Sequence, residues 1–512
     1  MAKAQTAPAA KPVAADEESG ADLLSGLMGT GLSKDVEAFV STVYGGEADA
    51  ASSALAAVLP YVMQNSGALS GRTREVIENL IATIDETLSN QVNEIIHHPD
   101  FQKLEGTWRG LHRLVHESQI SSDLKVYVLN VSKEDLRDTF RDYPGGKWDE
   151  SPVFNKIYRD RFGVLGGEPV GSLVADYQFS HKTEDVEVLK GLAKIAAASH
   201  APLIASASPK AFKLDSWKDI NKIPDPRMLF DGDEYAVWRA FRKNEDSKYV
   251  GLVLPRVLAR RPYGSEGEAV KEFAFEEDVS GNDETKFTWT NASLIMAENI
   301  NRSFYEHGWA SEICGIGDDQ SAGGVTKDLP THTYTTDDGT QDMTCPTETA
   351  IPFAREAMLS DMGFIPLCHN TGENWAAFLD AKSAYMPQQY RDAASNANAQ
   401  LSRKLPYLFA VSRFAHFLKK MVYMWVGMPY GRAEIERRLN DWISDYVLLN
   451  AENVSDYALL AEKPLSEARV EVVEDEANPG QYRARFHLRP HFRLDRIDVS
   501  LRLVSEVPTA QK

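Results

Sequence analysis

Four short groups of residues have the types that do chemistry, and each also has a plainer structural reading. His97-His98 offers two imidazoles for a metal, but neighbours on a helix point to different faces and cannot chelate one ion. A helix C-terminus, whose dipole favours cations, accounts for the pair. Cys368-His369-Asn370 sets a thiol beside an imidazole, as in a thiol nucleophile, and also reads as a buried structural cysteine next to a loop histidine. Asp231, Asp233 and Glu234 have the carboxylates a divalent cation needs, in what reads as a solvated acidic turn. The run from Gly315-Ile316-Gly317 to Gly323-Gly324 lacks the Gly-Lys-Ser/Thr ending of a phosphate loop and follows no dinucleotide-type strand-to-helix turn. Trp289, Trp309 and Trp375 have no regular spacing and read as core or interface filling. No acid–base pair or triad assembles from sequence neighbours. The expectation is therefore no catalytic residue, no cofactor-binding residue, no cofactor and no metal ligand.

The elements around these residues divide the chain into three parts: a flexible arm over 1–50, an α/β domain over 51–375 and a C-terminal domain over 376–512. Residues 1–20 are Ala, Lys, Pro and acid, too poor in apolar surface to fold alone. Leu23, Leu24, Leu27 and Met28 then share one face of a short amphipathic helix. That helix either docks on its own domain or is a peptide read by another protein. Over 72–98 the apolar residues Val76, Leu80, Ile84, Leu88 and Val92 recur every four positions, joined by Ile77, Ile81, Ile95 and Ile96. This long helix stops before Pro99, and a second helix aligns Phe101, Leu104, Trp108, Leu111 and Val115. The two either cover their own sheet, or the long one lies against a partner helix.

Leu124 to Val131 reads as a strand, and Ser132 with Asp135 as a capping box opening a helix. A strand over 170–179, a helix over 183–199 and a buried strand over 202–206 make a βαβ unit, with a further strand at 249–254 and a helix at 292–307. Gly-rich stretches at 314–324 and 338–340 read as loops or hairpins. Helix 388–405 breaks at Pro406, continues over 407–426 and turns back over 432–449, an αα-hairpin burying Ile435, Leu439, Trp442, Ile443 and Tyr446. The tail alternates. Val470 and Val472 oppose Arg469 and Glu471, and after the turn Asn478-Pro479-Gly480, Tyr482, Ala484, Phe486 and Leu488 oppose Arg483, Arg485, His487 and Arg489. A third strand carries Ile497, Val499, Leu501 and Leu503. Three strands at a chain end leave two open edges, which are covered by the domain or pair with another chain.

The chain has 512 residues and a formal net charge of −20, which excludes nucleic-acid binding as its main task. Three cysteines without a CxxC pair exclude a disulfide scaffold and a zinc ribbon, and fit a reducing, cytoplasmic location. The most apolar stretch, 407–428, carries Arg413, His416, Lys419 and Lys420, unlike a lipid-facing helix, and no secretory signal begins the chain.

The segment His97-His98-Pro99-Asp100-Phe101-Gln102-Lys103-Leu104-Glu105-Gly106-Thr107-Trp108-Arg109-Gly110-Leu111 closely resembles a signature of the large subunit of the type VI secretion contractile sheath, the TssC/VipB family. The resemblance continues through Phe273-Ala274-Phe275-Glu276-Glu277, Pro330-Thr331-His332, Pro352-Phe353, Phe414-Ala415-His416-Phe417-Leu418-Lys419 and Pro490-His491-Phe492, and covers about 35–505. It implies a non-enzymatic machine part: an α/β middle domain plus a C-terminal α+β sheath domain with interprotomer strands. The implied partners are a small sheath subunit of TssB/VipA type, copies of itself in six-fold helical rings, an Hcp-type inner tube ejected by contraction, a baseplate and a ClpV-type AAA+ ATPase. By the same resemblance, Val76, Leu80, Ile84, Leu88 and Val92 meet the small subunit. Val470, Val472, Tyr482, Phe486, Leu488, Ile497, Val499 and Leu501 lie on interprotomer strands. Leu23, Leu24, Leu27 and Met28 stand where some members carry the ATPase recognition peptide, although Gly26, Gly29 and Gly31 each cost about 1 kcal/mol of helix propensity. The αα-hairpin over 388–449 is the expected tube-facing region, and Arg483, Arg485 and Arg489 form either an electrostatic interface or a solvated face. The rivals are a cytosolic α/β enzyme with a site assembled from distant residues and a phage-type tail sheath that needs no small partner.

Overall fold

The computed structural model describes residues 73–491, except 165, 265–266, 272, 281–282, 318–322, 336–340, 426–427, 449–461 and 475–481. The chain forms two compact units, one of residues 1–98 with 262–282, the other of 99–261 with 283–512. The expected N-terminal helix and the third C-terminal strand, with Ile497, Val499 and Leu501, lie outside the described residues.

In the first unit, helix α1 (Thr73–Ile96) follows from the four-residue recurrence of its apolar side chains. Its C-terminal end is tied down. Asn93 donates to the Glu276 carbonyl at 3.4 Å and accepts from the Asp278 amide at 3.1 Å. His97 Nε2 lies 3.5 Å from the Glu277 carboxylate, which also accepts the Tyr263 amide at 2.7 Å.

The second unit is built on a six-stranded sheet. Strands β1 (Leu173–Phe179), β2 (Leu203–Ala207) and β3 (Val250–Leu254) are parallel, as is β9 (Ile365–His369) beside β3. Antiparallel β10 (Ala376–Phe378) and β6 (Val325–Thr326) finish the sheet, in the order β1-β2-β3-β9-β10-β6. Every residue of β2 and β3 is buried, as expected of parallel strands covered on both faces. Two short antiparallel pairs, β4 (Val257–Leu258) with β5 (Trp289–Thr290) and β7 (Thr333–Thr335) with β8 (Gln341–Met343), stand apart from it.

Helices cover both faces of the sheet. On one, α3 (Lys133–Asp142), α4 (Thr183–Ser199) and α5 (Ala236–Arg242) join a core rich in aromatic residues, among them Phe179, Phe212, Trp217, Tyr235 and Phe241. The capping box read at Ser132 and Asp135 is present. On the other, α6 (Ala292–His307) packs Ile295, Met296 and Ile300 against Ile204, Val253 and Ile365. Helix α2 (Pro99–Glu117) lies on α6 and β5, α7 (Phe353–Asp361) on β9.

A third cluster holds α9 (Leu405–Trp425), α10 (Arg432–Ser444) and the hairpin β11 (Leu465–Glu474)–β12 (Tyr482–Pro490), with Phe414, Leu418, Leu439, Ile443, Val470 and Val472 at its centre and Trp309 stacked 4.4 Å from Phe414. Two readings change here. Pro406 does not break a helix: α8 (Ala393–Leu401) ends earlier, and Pro406 sits in the first turn of α9, where its missing N–H has no intrahelical carbonyl to bond. Leu124–Val131 forms no strand: among the described residues it joins no ladder, and the backbone groups of 125–130 make no backbone hydrogen bond. The elements at 183–199 and 292–307 have the expected bounds.

Candidate assembly surfaces

The residues that suggested chemistry are occupied structurally. Cys368 is buried in β9, and burial together with the Glu356 carboxylate pushes its thiol up to about 12, so no thiolate forms near neutrality. His369 instead binds the Glu373 carbonyl through Nε2 at 2.8 Å. Around Asp231, Asp233 and Glu234 the cation is a side chain: Arg239 donates to the Phe230 carbonyl at 2.7 Å and the Gly232 carbonyl at 2.6 Å, and Lys213 pairs with Glu234. Among the described residues no group of three His, Cys, Asp or Glu is arranged to hold a metal. The two ends of the Gly315–Gly324 run bond to the sheet. Gly315 donates to the Phe378 carbonyl at 2.8 Å, and Phe378 donates to the Gly324 carbonyl at 3.0 Å. No described helix is long and apolar enough to cross a membrane.

What remains is surface. In the first unit, α1 presents Ile81, Leu88 and Ile95, seven residues apart and exposed, while Ile84 and Val92 are half-buried at the edge of that stripe. Of the expected stripe, among the described side chains, only Leu88 is exposed, and the outermost apolar line runs through Ile81, Leu88 and Ile95. The side chains of Val76 and Leu80 lie outside the described set.

In the second unit, the signature segment explains itself in α2. Its inner face is Glu105, Gly106, Gly110 and Leu114. A Cβ at Gly106 would meet the Trp289 carbonyl oxygen at 2.3 Å, and one at Gly110 the Thr290 hydroxyl at 2.1 Å, so only glycine allows this approach. Burial alone would raise the Glu105 carboxyl, but the guanidiniums of buried Arg260 and of Arg109, at 2.8 and 2.7 Å, hold it below its usual range. Arg113 reaches Glu298 of α6 at 3.0 Å, and Thr107 donates to Asp176 of β1 at 2.5 Å. The other face, Phe101, Leu104, Trp108 and Val115, is exposed, Trp108 by 62%. Those residues share a face as the spacing indicated, and that face is turned to solvent.

The hairpin differs at its two edges. Asn440 of α10 donates to the Val470 carbonyl at 2.7 Å and accepts the Val470 amide at 2.9 Å, and Glu436 accepts the Val472 amide at 3.1 Å. Helix side chains therefore close the outer edge of β11, leaving β12 as the edge for further pairing. Val470 and Val472 are buried, Leu488 is half-buried and Phe486 is exposed. Arg485 pairs across the ladder with Glu471, and Arg489 with Glu467. Nothing in the sequence singled out Asn440 and Glu436, because their partners lie about thirty residues on, in another element.

Family models match nearly the whole chain: the EvpB/VC_A0108 tail sheath N-terminal domain over residues 78–385 and the tail sheath gpW/gp25-like domain over 394–507. The type VI secretion system sheath protein TssC1 of Pseudomonas aeruginosa is 45% identical over 464 residues, 91% of this chain and 92% of that protein. Among solved structures, the anti-feeding prophage baseplate matches at 11% identity and TM-score 0.35, covering 75% of this chain and 84% of that one. The contracted helical sheath of the same particle matches at 12% and 0.31, covering 62% and 66%. With a family model over more than half of its length and a relative this similar from end to end, the chain belongs to the VipB tail sheath family, as a structural, non-enzymatic subunit of the type VI secretion contractile sheath.

Proposed function

We propose that this sheath subunit works in the cytoplasm as half of a heterodimer with a small sheath subunit of TssB/VipA type. The heterodimers stack on a baseplate as six-fold helical rings around an Hcp-type tube, which contraction ejects. The observation that carries the reading is the apolar stripe on α1. Ile81, Leu88 and Ile95 recur at the heptad interval that a partner helix reads, with Ile84 and Val92 along its side. Val76 and Leu80 continue the four-residue recurrence of Ile84 in sequence. The β12 edge is the second surface, for strand sharing between neighbouring protomers. A ClpV-type ATPase recognising Leu23, Leu24, Leu27 and Met28 completes the cycle.

The test is co-expression of the chain with its small subunit, purification through a tag on the latter, and negative-stain electron microscopy. The wild-type pair gives hollow tubes. Ile81→Asp with Leu88→Asp lowers co-purification at least tenfold, since two carboxylates replace apolar contacts in a desolvated seam. Unchanged recovery of the double variant would show that another surface holds the small subunit.

A further inference from the structure

Helix α1 carries a line of residues in a 3–4 spacing. Ile81, Ile84, Leu88, Gln91 and Ile95 follow at alternating intervals of three and four, the a/d seam of a heptad repeat, and Ile77 precedes them in sequence. Gln91 alone among them is polar. Ile81, Leu88, Gln91 and Ile95 are exposed and Ile84 is half-buried, so the seam is open to solvent. Other positions hold α1 within its unit: Ile96 is buried, and Asn93 bonds to the backbone at Glu276 and Asp278.

The flanks of that seam are acidic. From Glu75 to Ile96 the helix has five Asp and Glu and no Lys or Arg. Asp85 and Glu94 occupy the e and g positions beside the seam, where the charges of a partner helix are met, and Glu78 is a further e position in sequence. Exposed helices elsewhere in the chain answer their acids from within the protein. Arg437 of α10 pairs with Glu434 and Asp441, each at 3.0 Å, and Arg137 of α3 reaches Glu184 at 3.6 Å. Among the described residues no ion pair reaches Asp85, Glu86 or Glu94. Glu94 also stands in the last turn of α1, which has no basic residue, against the negative end of the helix dipole. A cation from outside relieves both.

We infer that the occupant of the α1 seam is a basic helix: an α-helix of a different polypeptide, with apolar residues in the same 3–4 spacing and Lys or Arg on its flanks, packed as a two-stranded coiled coil whose cations face Asp85 and Glu94. The inference rests on the heteromeric sheath reading and names the chemistry of the contact the small subunit makes. The apolar seam supplies affinity and the flanks select the partner, because a helix with acidic flanks meets like charges along its length. Charge excludes self-pairing for the same reason. The α1 of a second copy brings the same five carboxylates and no cation to meet them.

Two charge variants of the full chain, each co-expressed with the small subunit, test it. Asp85→Lys with Glu94→Lys alters side chains that hold no ion pair in the chain, so the melting temperature of the chain alone is not lowered. Recovery of the complex falls about tenfold, as two attractive contacts become repulsive. Asp85→Asn with Glu94→Gln keeps the complex and flattens its salt dependence. The wild-type Kd rises about tenfold between roughly 0.1 and 0.5 M salt, and that of the neutral variant less than about threefold. Recovery of the Lys variant equal to or above wild type, with Ile81→Asp and Leu88→Asp still disruptive, overturns the basic partner and leaves the heteromeric reading standing. Self-association of the chain alone that Ile81→Asp with Leu88→Asp abolishes overturns the foreign helix in favour of a second copy. A complex indifferent to both the charge and the apolar variants overturns the inference together with the reading of α1 on which it rests.

Discussion

His416 shows how one side chain of the Phe-Ala-His-Phe-Leu-Lys segment serves the fold. It sits on α9, buried, with Nε2 2.7 Å from the Ser199 carbonyl at the end of α4 and Nδ1 without a hydrogen-bond partner. Burial pushes its pKa down to about 4, aided by nearby Arg413 and Lys419. His200, its ring 6.1 Å away, is pushed to about 4 by burial and by Lys419 and His416. Both imidazoles are neutral in the fold and protonate in the unfolded chain near 6.5. The unfolded state therefore binds more protons below that pH, and the stability they contribute, complete above about 6.5, is lost as pH falls towards 4. His416→Gln keeps a donor for the Ser199 carbonyl and removes one titrating group. Chemical denaturation of the chain around pH 5 is expected to show stability falling less steeply by about 1 kcal/mol per pH unit in the variant. Identical slopes would mean His416 is charged or solvated in the fold. At this scale, sequence showed that His416 interrupts an apolar helix, which excluded lipid, but not that its partner lay 217 positions away. Glu105 was likewise legible as a motif residue, while its role, neutralising buried Arg260, depends on a contact across 155 positions.

At the scale of elements, helices came through with the fewest changes, because a helix satisfies its own backbone and advertises itself by periodicity. Strands depend on neighbours. Residues 124–131 are as apolar as a buried strand, yet no strand forms there among the described residues, whereas β1, of comparable composition, pairs with β2. The β11 edge makes the complementary point, since an amide side chain can replace a strand. Asn440 gives and accepts one hydrogen bond at Val470, reproducing the two bonds of a ladder pair. Asn440→Ala leaves a buried amide and carbonyl unpaired and is expected to cost about 1–3 kcal/mol, read by urea denaturation of the chain. Amide exchange of β11 should rise with it. A loss below about 0.5 kcal/mol would mean that water or backbone movement replaces the side chain.

For the whole molecule, the question is how subunits stay joined while a sheath changes length. Side-chain interfaces have fixed partners and break when domains swing, whereas strand ladders hold through backbone groups and tolerate twist and bend. With the β11 edge closed by α10, the strand sharing proposed for the C-terminus would use the outer edge of β12, and the residues 496–504, alternating in sequence, come next in the chain. The stripe on α1 belongs to the other unit and, under the proposed function, to a different partner. Separate surfaces predict separable defects. Deleting residues 496–512 is expected to leave co-purification with the small subunit within twofold of wild type while abolishing tubes in negative stain, heterodimers remaining in solution. Joint loss of both would mean the C-terminal segment also holds the small subunit. Tubes of normal length from the truncated chain would remove strand sharing from the account of assembly and leave the α1 stripe as the contact to explain it.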